Sequence, residues 1–138
     1  MSVLEQQELK KKYYSEAMRY MENAKENLIK AKQEGPIYRD SKYVKTACGV
    51  AYNGVLTALD CFLILKEIPK PSGKKRKSID YYQKNLNTLD GKMLDNFNIT
   101  YKILHLSGYY DGIESVKVVK EGFSYAYKII EKIKPCAA

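Results

Sequence analysis

One histidine and three cysteines in 138 residues leave little room for metal chemistry. A structural zinc site draws closely spaced cysteines and histidines together. Cys48, Cys61, Cys136 and His105 are scattered, so neither a metal nor any other cofactor is expected. An odd cysteine count without framework spacing also excludes a disulfide scaffold and fits reduced thiols in the cytoplasm. Cys48 and Cys61, read on one helix, would stand roughly 20 Å apart, too far to bond. The longest apolar run, "CFLIL", is too short to cross a bilayer, and "MSVLEQQELKKK" lacks the order of a signal peptide. A cytoplasmic protein without a membrane segment is the expectation. No segment alternates with period two and no glycine-rich turn links β-branched runs, so a sheet is not expected.

With 45% apolar and 29% charged residues, the chain reads as one globular domain over 1–138, long enough to bury a core. Apolar residues recur at helical spacing. Leu9, Tyr13, Ala17, Tyr20, Ala24, Leu28 and Ala31 mark a helix over 5–34, closed by a left-handed Gly35 and by Pro36. A second helix is expected over 42–67, with Asp40 or Ser41 as its cap. Gly49 and Gly54 inside it each cost about 1 kcal/mol of helix propensity. Either a close neighbouring helix or a ligand against the backbone would explain them. Ser78 caps a short helix, Asp90 caps another to about residue 107, and a last one runs over 112–134. The fold class is all-α: an up-and-down four-helix bundle with one extra short helix.

The net charge of +8 is concentrated in "KEIPKPSGKKRK", residues 66–77, where six cations face one anion. Its core, Lys74, Lys75, Arg76 and Lys77, is either a solvated loop or a contact for phosphates or an acidic protein. Tyr81 and Tyr82 just beyond can stack on bases. Asp60 sits in the most apolar helix and needs a partner if buried, with Arg19 or a tyrosine as candidates. A groove formed by Arg19, Tyr52, Asn53 and Asp60 is the corresponding functional reading.

"LHLSGYYDG", residues 104–112, holds the lone histidine. Helix punctuation explains much of it: Gly108 as a left-handed cap, then Asp111 as N-cap with Glu114 three residues on. Partner binding through His105, Tyr109, Tyr110 and Asp111 is the functional alternative. Catalysis by His105 would need a nucleophile, a second base or a cation beside it.

"ACGVAYNGVLTALDCFL" and "YKILHLSGYYDG" resemble the second and third helices of the HEPN superfamily of helical bundles. "RYMENAKENLIKA", "KKRKSIDYY" and "ILHLSGYYDGIESVKVVKEGF" are similar to small HEPN-like bacterial proteins. The resemblance implies a four-helix bundle, a homodimer, and either nucleotidyltransferase substrate-binding partners or toxin ribonucleases as relatives. The ribonucleases place an arginine four to six residues before a histidine. The matching positions here are Thr100, Ile99 and Asn98, and Lys102 lacks arginine's bidentate fork. The expectation is therefore a noncatalytic binding or assembly module for an anionic partner: a nucleotide, nucleic acid or acidic protein. The alternatives are an RNA-processing enzyme using His105, or an accessory subunit of a separate nucleotidyltransferase.

Overall fold

The computed structural model describes residues 1–72 and 76–136, and it is mostly helical. Helix α1 spans Val3–Ala31 and begins on Ser2, whose hydroxyl accepts from the Glu5 amide. It ends three residues before the expected boundary, because Lys32 turns to φ 56° and the chain enters a hairpin. Strands β1 (Gln33–Glu34) and β2 (Ile37–Tyr38) pair antiparallel, with Gln33 opposite Tyr38. Gly35 does take positive φ, +57°, but as the first turn residue of this hairpin. Two-residue strands cannot show an alternating pattern, which is why periodicity predicted no sheet.

Helix α2 (Ser41–Leu65) starts on Asp40, whose carboxylate accepts from the Lys42 amide. By length and composition it is apolar enough to span a membrane, beyond what the "CFLIL" run suggests. Eleven of its residues are buried, and α2 packs on α1, on the π-helical segment described next and on α5. Gly54 is explained by α1: a β-carbon there would lie 3.2 Å from the Ala17 carbonyl oxygen and from the Tyr20 Cβ.

Helix α3 (Ile79–Leu89) is capped by Ser78 and α4 (Gly91–Thr100) by Asp90, as expected. Beyond Thr100 the helix does not stop near residue 107. It continues to Tyr110 as a π-helical segment, Tyr101–Tyr110, whose wider turns end with the Asp111 amide bonded to the Leu106 carbonyl five residues back. Two local features coincide with the change. The buried Thr100 hydroxyl donates to the Phe97 carbonyl, which also receives the Tyr101 amide, so a side chain enters the ladder at the junction. Gly108 lies against Cys48 so closely that any β-carbon would overlap its sulfur. Gly108 is therefore a packing residue without positive φ, and the left-handed glycine is Gly112, φ +64°.

Helix α5 (Val116–Glu131) begins four residues later than expected. Its N-cap is Ser115, whose hydroxyl accepts from the Val118 amide, and Asp111 instead closes the π segment. An extended stretch intervenes because it is bonded to the hairpin: the Tyr38 amide donates to the Glu114 carbonyl, and the Val116 amide to the Pro36 carbonyl. The buried side chains form one hydrophobic cluster, with Met21, Leu59, Leu86, Phe97, Leu104 and Ile130 at most 1% exposed. Each such side chain contributes roughly 1.5–3 kcal/mol by leaving water.

Candidate functional site

The π segment presents its aromatic residues to α2. In an α-helix a residue five positions on points roughly 140° away, at 3.6 residues per turn. Here His105 touches both Tyr109, stacked at 5.9 Å between ring centres, and Tyr110, edge-on at 5.0 Å. The wider turn lets the fourth and fifth residues flank the same side chain. Tyr101 stacks on His105 from the preceding turn at 5.3 Å, and Tyr52 of α2 at 4.8 Å with an interplanar angle of 28°. The row continues inward from Tyr52 to Phe97 and from Phe97 to Tyr82.

Beside this row lies an open cleft of about 480 Å³ between α2 and the π segment. Tyr52, His105 and Tyr109 form its aromatic wall, and Thr46, Val50, Asn53 and Leu56 line the α2 side. Gly49 lets the walls meet, since a β-carbon there would stand 2.8 Å from the Tyr109 ring. Among the described residues the lining holds no acid, lysine, arginine or cysteine. Burial pushes the His105 pKa below its ordinary value, which favours the neutral imidazole. Burial, then the neighbouring Tyr101, holds the Tyr52 phenol above its usual range. The rings of this wall stack largely on one another, and Asn53, Thr46 and His105 add neutral polar groups to the lining. It has no paired nucleophile and base.

The sequence-based candidates separate into three places. His105, Tyr109, Tyr52 and Asn53 meet at the cleft, and Tyr110 packs on the outer side of His105. Asp111 is exposed at the end of the π segment, outside the cleft lining. Asp60 does not join the groove. It accepts from the Tyr82 hydroxyl at 2.8 Å and pairs with the Lys77 ammonium at 3.0 Å. The expected tyrosine tie is therefore present, while Arg19 is exposed on α1 and pairs with Glu16. One cation of the basic run thus anchors the connection to α2. Arg76 is exposed, and Lys74 and Lys75 lie outside the described residues. Tyr101, Thr46, Val50 and Leu56 were not singled out from sequence. Spacing of four links Tyr101, His105 and Tyr109, but a tyrosine or leucine at helical spacing reads first as core.

Residues 12–135 match the family described as Domain of unknown function (DUF5618), and the chain belongs to that family. Among solved structures it is similar to a protein of unknown function from Dyadobacter fermentans, at 40% identity and a TM-score of 0.78. That similarity covers 90% of this chain and 94% of the other. No curated protein matches the chain.

Proposed function

We propose that the chain is a noncatalytic, HEPN-like four-helix-bundle binding module whose cleft accepts a nucleobase. The four long helices of that bundle would be α1, α2, α4 with its π continuation, and α5, with α3 as the extra short helix. The observation that carries the binding role is the stacked row Tyr52, His105 and Tyr109 facing an open cleft without charge. Tyr109 ends the row and is 47% exposed, so it is the ring on which a base would stack, at roughly 1–3 kcal/mol, while neutral amide and hydroxyl groups can read a base edge. The phosphate of such a ligand would reach outside the cleft, where the net charge of +8 favours it.

Calorimetric titration with AMP, UMP and ribose 5-phosphate tests this reading. The two nucleotides bind and the sugar phosphate does not. Tyr109→Ala weakens nucleotide binding by about tenfold or more. Equal affinity for ribose 5-phosphate, or no affinity for either nucleotide, overturns it. RNA cleavage by the wild type that is lost in His105→Ala would favour the enzymatic alternative.

A second reading concerns the exposed surface of the same segment, which includes Tyr109 of the cleft wall. Leu106, Tyr109 and Tyr110 are 38%, 47% and 60% exposed, an apolar set that a second copy of the chain would cover. Sedimentation equilibrium of the wild type and of Tyr110→Glu tests it. A dimer that Tyr110→Glu dissociates supports it, and a wild-type monomer at high micromolar concentration rejects it.

A further inference from the structure

A different groove runs between α1 and α5, away from the His105 cleft. Two contiguous hollows of about 440 and 490 Å³ share Lys25, Leu28, Tyr38 and Lys120. Phe123 and Tyr127 extend the apolar floor at one end, beside Ser124, and Ile29, 77% exposed, extends it at the other, beside Gln33. Lys25 and Lys120 are both exposed, and neither is in an ion pair among the described residues. Tyr127 adds the second observation: its hydroxyl is shut off from water, and among the described residues it finds no acceptor, its one polar neighbour being the Lys25 ammonium. The Lys25 ammonium lies 5.1 Å from the centre of the Tyr127 ring, and the hydroxyl raises the Lys25 pKa. An ammonium can only donate, so the phenolic proton still lacks an acceptor. Lys120 cannot supply one either.

The missing partner is thus an acceptor, and Lys25 and Lys120 beside it favour a negatively charged one, at one end of a largely apolar groove. We propose that this groove binds a monocarboxylate with an apolar tail, of the fatty-acid kind. Its carboxylate accepts from the Tyr127 hydroxyl and sits between the Lys25 and Lys120 ammonium groups once the exposed Lys25 chain swings aside. Its tail lies over Leu28 and Tyr38 toward Ile29. An acid with two carboxylates spaced along its body would place the second one over apolar residues, at a desolvation cost.

Calorimetric titration of the full chain with decanoate, decan-1-ol and acetate tests the proposal. Decanoate binds, while decanol, lacking the charge, and acetate, lacking the tail, bind at least about tenfold more weakly. Lys25→Met and Lys120→Met, both on the surface, each weaken decanoate by about tenfold. Tyr127→Phe also weakens it without loss of fold by circular dichroism, because the change deletes an unpartnered hydroxyl. His105→Ala leaves the affinity unchanged. Decanol binding as tightly as decanoate, indifference to both lysine substitutions, or loss of binding in His105→Ala would each overturn it.

Discussion

Gly108 of the π segment and Cys48 of α2 occupy adjoining space with none to spare: a β-carbon at residue 108 would overlap the Cys48 sulfur and stand 2.5 Å from its Cβ. Alanine in a helix gains roughly 0.5–1 kcal/mol over glycine, and forcing a methyl into a packed interior costs about 1–3. The second effect wins. Gly108→Ala lowers unfolding free energy by about 1–2 kcal/mol in urea titration, and Cys48→Ala in the same chain restores only part, because the residue 48 Cβ remains. Gly91→Ala is the contrast: nothing lies within 4 Å of an added β-carbon in the first turn of α4, and the variant is no less stable than the wild type.

Tyr82 and Asp60 tie α3 to α2 through a hydrogen bond that is mostly out of water. Tyr82→Phe leaves the ring in place and removes a bond to a charged acceptor, so unfolding free energy falls by about 1.5–3 kcal/mol. Lys77→Met, which breaks the more exposed ion pair to the same carboxylate, costs about 0–1 kcal/mol. A larger loss in Lys77→Met than in Tyr82→Phe would mean that the ion pair is the principal tie.

His105 supplies a pH signature of the cleft. Its folded pKa lies below the ordinary 6.5 because burial disfavours the imidazolium. The unfolded chain therefore binds more protons in that interval, and stability rises with pH across it. As pH falls from 7, the contribution of His105 to stability begins to be lost near 6.5 and is gone below the folded pKa. The chain has one histidine, so its imidazole protons give a single NMR titration with a midpoint below 6.5. In His105→Gln the stability profile flattens in that interval. A midpoint above 6.5 would contradict a buried neutral ring.

Thiol reactivity separates the cysteines. Burial pushes the Cys48 thiol up to about 12 and the Cys61 thiol up to about 11, whereas Cys136 is exposed. With a disulfide reagent at pH 8, one thiol per native chain reacts promptly, and all three react in denaturant. Fast reaction of a second thiol in the native protein would indicate that α2 opens locally.

Helical periodicity and capping chemistry made α1 to α4 legible, because Ser78, Asp90 and Asp40 cap as their side chains dictate. Apart from the hairpin at 33–38, which falls partly in the expected first helix, the errors cluster between Tyr101 and Ser115. A template of 3.6 residues per turn cannot register a change to wider turns, and one feature that coincides with that change, Gly108 packed on Cys48, is a contact across 60 positions. Asp111 and Glu114 imitate a capping box, but backbone bonds from the hairpin hold that stretch extended and give the cap to Ser115. His105, Tyr109, Tyr52 and Asn53 could be picked out as candidates from residue type. Their convergence, and the departure of Asp60 and Arg19 to other partners, depend on contacts between helices that no local pattern encodes.

The junction between the hairpin and the stretch before α5 is made by main-chain atoms, the Tyr38 amide to the Glu114 carbonyl and the Val116 amide to the Pro36 carbonyl. A link of this kind is indifferent to most side chains, so substitutions can accumulate at the exposed Glu114 and Ile37 while the two halves of the chain stay clasped. Proline at 38 or 116 is the exception, since it removes a donor. The same two amides should exchange slowly with deuterated solvent although they lie between helices, which makes them internal reporters of when the clasp opens.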